Sequence, residues 1–259
     1  MRLTVVGCAG SFPAPDSSAS SYLVEAPDAA GRTWRVLLDL GNGSLGPLQR
    51  YARPADLDAV LLSHLHPDHC LDLCSLYVAL RYHPDGPPAR RIPVYGSTGV
   101  ARRLADAYGG GADTDLTVVY DFREWVEGEA VHVGPLRVVP LRVDHPVEAY
   151  GLRLEHVEGG RTAVLAYSGD TDACPALVRL ATGADVLLAE AAFSEGRDLC
   201  RHIHLTGLRA GATAAEAGVR RLLLTHLPVW TDPATALAEA RQAFAGDVEV
   251  VRPGAVYVI

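Results

Sequence analysis

The sequence predicts an α/β protein in which two β-sheets pack face to face between outer helices, a four-layer αββα sandwich. Strand-like and helix-like segments alternate along the 259 residues, and in each half of the chain strands are followed by helices. Hydrophobic residues make up 49% of the chain, which is ample for a sizeable core. Because the sequence contains no low-complexity linker, we expect residues 1–259 to form a single domain.

The first half of the chain contains short apolar segments bounded by Gly, Pro or Asp, a pattern typical of β-strands. The predicted strands are Leu3–Gly7, Ser20–Ala26, Arg35–Asp39, Ala59–Ser63 and Ile92–Tyr95. Helical spacing of apolar residues predicts a helix over 71–82, which the Pro- and Gly-rich stretch after it ends. A second helix is predicted over 98–108, closed by the glycines 109–111.

The second half is first rich in strands and then alternates between helix and strand. The strands predicted in its first part are Thr117–Tyr120, Ala130–Val133, Leu136–Val143, Tyr150–His156 and Thr162–Ser168. The helices predicted in its last part are Pro175–Ala181, Thr206–Ala217 and Pro233–Phe244. The strands predicted between and after them are Val186–Glu190, Arg221–His226, Val248–Arg252 and Ala255–Ile259.

Charge and cysteine content narrow the classes of function. A formal net charge of −8 repels polyanions at long range, which argues against a nucleic-acid partner. No apolar run reaches the roughly 18 residues of a membrane helix, and the first residues resemble a strand rather than a signal peptide. The five cysteines form no CxxC pair, so we expect no disulfide framework and a cytoplasmic location.

A cluster of histidines directly after the predicted strand 59–63 is the most informative motif. His64 and His66 are two residues apart, so in an extended segment their side chains point the same way. Asp68 and His69 follow Pro67, where the chain turns, and can therefore face a second point nearby. Imidazole and carboxylate are ligands for zinc and similar metals. The spacing indicates two metal ions side by side rather than one.

Three further polar residues follow apolar strands in the same manner. His145 comes after the strand 136–143, Asp170 after 162–168, and His226 ends the strand 221–226. Polar residues at the carboxyl ends of several strands converge on one edge of a sheet and build sites there. We therefore expect these three side chains to complete the metal centre.

This set of residues resembles the metallo-β-lactamase superfamily of dinuclear hydrolases, and the resemblance spans nearly the whole chain. It implies a first metal ion held by His64, His66 and His145. It implies a second metal ion held by Asp68, His69 and His226. Asp170 would bridge both ions together with a water or hydroxide. Two divalent ions are expected, zinc in the first place and manganese as an alternative, because such ligands accept several metals.

Four other segments are similar to the ribonuclease Z-like phosphodiesterase branch of that superfamily, namely Gly7–Ser11, Asp39–Gly43, Ala189–Phe193 and His204–Thr206. This resemblance implies a role for His204 beside the scissile phosphate, with Glu190 as the carboxylate that orients its ring. Asp68 would serve both as a metal ligand and as an acceptor that orients the nucleophile. The predicted catalytic residues are therefore Asp68, His204 and Glu190.

The chain departs from ribonuclease Z in one respect. Those enzymes carry a long arm that grips tRNA, inserted at a point where this chain has only 24 residues between His145 and Asp170. The segments 15–23 and 81–84 instead resemble an actinobacterial group of atypical class II cyclic-AMP phosphodiesterases. The expected activity is hydrolysis of a small phosphodiester, cyclic AMP in the first place, by attack of a metal-bridged hydroxide.

Three alternatives remain open on the sequence alone. The first is a ribonuclease Z-like endonuclease acting on tRNA 3′ ends. The second is a different hydrolase on the same centre, such as a lactonase or a sulfatase-like enzyme. The third is a non-catalytic metal-binding or sensory protein. The sequence also leaves the oligomeric state open, and a homodimer is one arrangement that it allows.

Overall fold

The computed structural model describes residues 1–110 and 115–259. Gly111, one of the glycines predicted to close a helix, lies outside the described residues. The described strands are β1 (Arg2–Gly7), β2 (Ser21–Pro27), β3 (Thr33–Leu38), β4 (Ala59–Leu61), β5 (Ile92–Gly96), β6 (Tyr120–Glu124), β7 (Val131–Val133), β8 (Leu136–Arg142), β9 (Tyr150–Glu158), β10 (Arg161–Tyr167), β11 (Val186–Glu190), β12 (Arg221–Thr225), β13 (Asp247–Val250) and β14 (Val256–Val258).

The described α-helices are α1 (Leu45–Leu48), α2 (Pro67–Cys70), α3 (Leu73–Arg81), α4 (Val100–Tyr108), α5 (Pro175–Ala181), α6 (Gly207–Ala217) and α7 (Pro233–Ala243). Two short 3-10 helices cover Pro54–Asp56 and Leu116–Val118. In the described part of the chain, no helix is both long enough and apolar enough to cross a membrane.

The strands form two seven-stranded sheets with matching topology. The first has the order β14-β1-β2-β3-β4-β5-β6 and the second β13-β12-β11-β10-β9-β8-β7. In the first sheet the pairs from β14 to β3 are antiparallel and those from β3 to β6 parallel. The second sheet repeats this pattern, antiparallel from β7 to β10 and parallel from β10 to β13. Apart from β14, which joins the first sheet from the end of the chain, each half therefore contributes one sheet in which hairpins lead into parallel strands.

Three hydrophobic clusters confirm the predicted four layers. The central cluster joins the facing sides of the two sheets, with Leu38 and Leu61 from one sheet and Leu165 and Leu188 from the other fully buried. A second cluster packs α3 and α4 on the outer face of the first sheet. A third packs α5, α6 and α7 on the outer face of the second. The sheets are thus covered on both faces, as parallel strands require.

One local prediction was wrong for an identifiable reason. The predicted strand Thr117–Tyr120 is a 3-10 helix followed by β6, because the Asp115 carboxylate accepts a hydrogen bond from the Thr117 amide at 2.9 Å and starts a turn there. The predicted helix 71–82 forms as α3, and the short helix α2 before it is separate. The two helices are separated at Asp72, whose backbone amide donates to the Leu40 carbonyl and whose carboxylate accepts from the Leu45 amide at 2.8 Å.

Candidate metal centre

Seven side chains that the sequence singled out come together where strands of both sheets end. They form two adjacent groups whose ligand atoms lie within 4.8 Å of one another. The first group contains His64, His66 and His145. The second contains Asp68, His69, Asp170 and His226. The structure therefore brings every predicted ligand together at one site, in the two groups that the resemblance implied. Asp170 belongs to the second group, and it contacts the first group at His64.

The first group is a triangle of imidazole nitrogens. His66 Nδ1 lies 3.0 Å from His64 Nε2 and 3.4 Å from His145 Nε2. His64 and His66 meet because the chain stays extended to His66, whose ψ is 151°, and α2 starts at Pro67. Proline suits this first helical position because its φ is already helical and no amide donor is lost. His66 and His145 are only partly buried, so the cleft opens on this side.

The second group is buried and contains two carboxylates. Asp170 Oδ1 lies 3.2 Å from His69 Nε2, and Asp170 Oδ2 lies 3.3 Å from His226 Nε2. Asp68 Oδ2 lies 3.4 Å from His69 Nε2 and 3.8 Å from His226 Nε2. Asp170 Oδ2 also lies 3.8 Å from His64 Nε2 in the first group. Asp170 is therefore the carboxylate that links the two groups.

A buried carboxylate behind the site, that of Asp39, fixes the orientation of two ligand rings. It accepts hydrogen bonds from His69 Nδ1 at 2.7 Å, from Tyr167 Oη at 2.6 Å and from the Ser63 hydroxyl at 2.8 Å. The Ser63 oxygen lies 3.0 Å from His64 Nδ1 and accepts from it. With their Nδ1 protons held there, His64 and His69 present Nε2 lone pairs to the site, as metal ligation requires.

Hydrogen bonds at Nδ1 also fix the rings of His145 and His226. His145 Nδ1 lies 2.8 Å from the Ile203 carbonyl, which can only accept, so the proton must be on Nδ1. His226 Nδ1 lies 2.9 Å from the Ser20 hydroxyl. His226 Nε2 also accepts a long 3.3 Å hydrogen bond from the Ser11 amide, which is consistent with a lone pair on that nitrogen. Both rings therefore face the site with Nε2.

The side-chain charges at the site favour a bound metal cation. Burial lowers the pKa of His64, His66 and His226, so these rings are neutral and able to ligate. Burial also acts to lower the pKa of His69, but the carboxylates of Asp170 and Asp39 outweigh it and raise that pKa well above the ordinary value. A divalent cation at His69 Nε2 would balance that negative charge in place of a proton.

Two buried atoms in the second group support this fit directly. Within the described residues, His69 Nε2 and Asp170 Oδ1 are buried and neither has a hydrogen-bond partner, although they lie 3.2 Å apart. Leaving buried polar atoms unpaired costs on the order of 1–3 kcal/mol each. Nitrogen and carboxylate oxygen are both ligands for zinc and manganese. The residues present therefore fit a divalent metal, which would satisfy both atoms at once.

The predicted pair of His204 and Glu190 forms beside these groups. His204 Nδ1 donates to Glu190 Oε1 at 2.8 Å and lies 3.9 Å from Asp170 Oδ2. The ring lies between the His145 and His226 rings, with its centroid 5.6 Å from each. Burial acts to lower the pKa of His204, but the Glu190 carboxylate outweighs it and raises the pKa to about 9. Glu190 thus holds the Nδ1–H of His204 and favours the protonated form of its ring.

Sequence reasoning missed Asp39, Ser63 and Ser20 as parts of the site. The signal for Asp39 was present, because it follows an apolar strand in the same way as Asp170 does. The structure adds a second indication, because the backbone φ of Asp39 is 58° and that of the ligand His226 is 57°. Non-glycine residues rarely adopt this left-handed region, and they do so preferentially at functional sites.

A glycine explains why the segment 39–43 lies so close to the ligands. A Cβ at Gly41 would come within 1.9 Å of the Asp68 carbonyl oxygen. Only glycine permits this approach, which brings the loop after β3 against the turn that carries Asp68 and His69. The glycine is therefore part of the scaffold of the metal centre.

Comparison with known proteins assigns the family. A family model described as a beta-lactamase superfamily domain matches residues 34–227, a span that contains all seven clustered side chains. The chain belongs to the beta-lactamase superfamily. Its two sheets and outer helices are the metallo-β-lactamase fold, and members similar to it are metallo-hydrolases. We therefore describe the protein as a metal-dependent hydrolase of this superfamily.

Relatives match over the full length of the chain. An uncharacterized protein of Mycobacterium leprae is 47% identical, over 100% of this chain and 89% of its own. The probable metallo-hydrolase YhfI of Bacillus subtilis is 31% identical over 99% of each chain. The crystal structure of YhfI matches with a TM-score of 0.86 at 29% identity, covering 99% of this chain and 98% of that one. Ribonuclease Z of Myxococcus xanthus is 29% identical over 98% of this chain and 96% of its own.

Removal of metal should therefore abolish activity. We expect dialysis against a chelator to eliminate hydrolysis of bis-p-nitrophenyl phosphate, and addition of Zn²⁺ or Mn²⁺ to restore it. The melting temperature should also fall, because a ligand present at 100 times its Kd stabilises the folded state by about 2.7 kcal/mol. Metal content by mass spectrometry, turnover and melting are measured on the same samples. Full activity in protein shown to be metal-free would contradict the assignment.

Proposed function

We propose that this superfamily member is a phosphodiesterase that uses two divalent metal ions, most readily zinc, to hydrolyse a small cyclic phosphodiester such as cyclic AMP. The observation that carries the proposal is the position of His204. Its ring, with Nδ1–H held by Glu190, lies between the two ligand groups as a hydrogen-bond donor. An anionic phosphodiester gains more from such a donor than a neutral lactone or ester does.

The chain between His145 and Asp170 favours a small substrate over tRNA. It contains β9 and β10, joined by a tight hairpin in which Glu158 pairs with Arg161. This leaves no insertion that could grip the body of a tRNA. The net charge of −8 also opposes a long polyanion. Both features support a small phosphodiester as substrate, although ribonuclease Z is among the relatives.

In the proposed reaction, each group of residues would have a separate role. The first group and the second group would each hold one cation, with Asp170 between them. When bound, the two cations would supply Lewis-acid stabilisation of the phosphoryl oxygens and lower the pKa of a water molecule. Asp68, whose side chain is 10% exposed, would accept a hydrogen bond from that water and orient it. His204, with Nδ1–H held by Glu190, would donate a proton to the leaving 3′-oxygen from its other nitrogen.

Two further features belong to the proposal. All five cysteines are free thiols, which suits a reducing cytoplasm. We also propose that the substrate is a small molecule, with neither a nucleic acid nor a membrane as partner.

The substrate assignment is tested by assaying cyclic AMP, cyclic GMP and a pre-tRNA side by side with the same metal-loaded protein. We expect turnover of the cyclic nucleotides and no cleavage of the pre-tRNA. Esters, lactones and sulfate esters are added to the panel to test other hydrolases on the same centre. Cleavage of the pre-tRNA alone would make the protein a ribonuclease. Two bound metal ions with no turnover of any substrate would make it a binding protein.

Substitution of His204 separates proton donation from metal binding. We expect His204→Ala to lower kcat for cyclic AMP by about 10²-fold or more, the usual contribution of a positioned proton donor. Metal content is measured on the same samples, because His204 also forms a possible ligand group with Asp170 and Glu190; we expect it to stay unchanged, since the two groups described above keep all their members. The control is His132→Ala, which removes an exposed histidine in the edge strand β7 of the second sheet. Equal kcat values for the two variants would show that His204 takes no part in the reaction.

A further inference from the structure

Two loops beside the candidate metal centre carry an exposed aromatic pair. Phe12 follows β1 and is 38% exposed, and Trp230 follows β12 and is 59% exposed. Their ring centroids lie 5.2 Å apart with an interplanar angle of 47°. Exposed aromatic residues placed side by side keep apolar surface in water, which is costly unless a partner covers it. Neither the metal centre nor the proposed mechanism uses this pair.

The loop that bears Phe12 is fastened to the metal ligand His226. The Ser11 amide lies 3.3 Å from His226 Nε2, and the Gly10 amide donates to the Leu227 carbonyl at 3.1 Å. A Cβ at Gly10 would come within 2.2 Å of the His226 carbonyl oxygen, so this contact requires glycine. Phe12 is therefore one residue from a backbone amide that touches a ligand atom of the site.

The loop that bears Trp230 is held from both sides. The Thr231 amide donates to the Pro228 carbonyl at 2.8 Å, which closes a turn with Trp230 inside it. The buried Thr231 hydroxyl donates to the Ala192 carbonyl at 3.0 Å, and Arg197 donates to the Trp230 carbonyl at 3.2 Å. Because four residues span at most about 14 Å, Trp230 stays near His226. The pair is thus carried by two loops that are held close to the ligand His226.

We propose that Phe12 and Trp230 form a platform on which the aromatic base of a nucleotide substrate stacks while its phosphate lies at the metal centre. This inference rests on the proposed phosphodiesterase function and concerns the base of the substrate, which lies outside the reacting group. Every base has a π-face, so stacking on aromatic side chains tolerates different bases. The platform therefore binds a nucleoside phosphodiester in preference to one without a base, and it discriminates weakly between adenine and guanine.

The test compares cyclic AMP with 1-O-methylribose 3′,5′-cyclic phosphate, which has the same reacting group but no base. We expect wild-type protein to prefer cyclic AMP in kcat/KM, and Trp230→Ala to lose about 5- to 150-fold on cyclic AMP, the range for loss of one stacked base. Turnover of the compound without a base should stay unchanged. Trp230→Phe should retain most of the preference, and Phe12→Ala should lose part of it. Tyr82→Ala, which removes a 65% exposed aromatic residue at the end of α3, is the matched control and should behave as wild type.

The outcomes separate failure of the platform from failure of the proposed function. Equal wild-type kcat/KM for the two compounds, or an unchanged preference in Trp230→Ala, overturns the platform while leaving the phosphodiesterase in place. If the wild-type protein hydrolyses neither compound, calorimetry compares binding of AMP and ribose 5-phosphate. Tighter AMP binding that Trp230→Ala removes supports the platform, and equal binding overturns it. A change in oligomeric state in Trp230→Ala, measured by light scattering, would instead show that the pair joins two copies of the chain and would also overturn the proposal.

Discussion

Asp170→Asn is expected to lower turnover of bis-p-nitrophenyl phosphate by at least about 10³-fold. Asp170 faces His69 and His226 at 3.2 and 3.3 Å and lies 3.8 Å from His64, so among the residues that the structure describes it is the one carboxylate within 4 Å of both ligand groups. Asparagine has the same shape, but its amide is neutral and gives up one ligand oxygen. Metal ions contribute several kcal/mol to stabilisation of a charged transition state, and about 4 kcal/mol corresponds to 10³ in rate.

The measurement combines kcat with metal content for each variant. We expect Asp170→Asn to bind fewer than two ions per chain and to unfold cooperatively all the same. Asp56→Asn is the control, since this carboxylate is 30% exposed, lies in a 3-10 helix outside the ligand groups and forms an ion pair with Arg53. His66→Ala and Asp68→Ala extend the test to one member of each group. If any of these three variants kept full turnover, the dinuclear phosphodiesterase would be excluded.

The sequence alone predicts some features of the site and not others, as individual ligands show. His145, Asp170 and His226 were predictable because each follows an apolar strand, and a strand end fixes where a polar side chain emerges. The contact between Asp170 and His69 was not predictable in the same way, since it depends on how two sheets meet. That information lies in the packing of the central core, which no local pattern contains.

Asp39 is a second residue whose role could not be predicted from a local pattern. Its position after an apolar strand was visible, but its role depends on Ser63, His69 and Tyr167, which come from other segments. The error at Thr117 has a different cause. β-Branched residues favour strands on average, but the Asp115 carboxylate accepts hydrogen bonds from the Thr117 amide and hydroxyl and turns the chain instead. Local propensity thus yields where polar contacts of one side chain fix the backbone.

The dependence of the fold on Asp39 leads to the second large effect. We expect Asp39→Ala to lower the free energy of unfolding by about 3–5 kcal/mol, the range for removing one partner of a buried ionic network. The substitution leaves the His69 Nδ1–H, the Tyr167 hydroxyl and the Ser63 amide and hydroxyl without their acceptor, and all of these residues are buried. A further cost arises because Asp39 has a φ of 58°, a region that alanine disfavours by about 1–2 kcal/mol.

Two control variants divide this loss into its parts. Asp39→Asn keeps a residue that tolerates positive φ but turns an amide toward donors, so most of the destabilisation should persist. Tyr167→Phe removes a single donor and leaves the carboxylate paired with Ser63 and His69, so it should cost only about 1 kcal/mol. Urea unfolding of metal-free protein at neutral pH measures all three. His69 loses the acceptor of its Nδ1 proton, and Ser63, which accepts from His64, loses the carboxylate that orients its hydroxyl. Metal affinity of Asp39→Ala should therefore also fall by about 10- to 100-fold. A loss below 1 kcal/mol together with unchanged metal affinity would show that the site does not depend on Asp39.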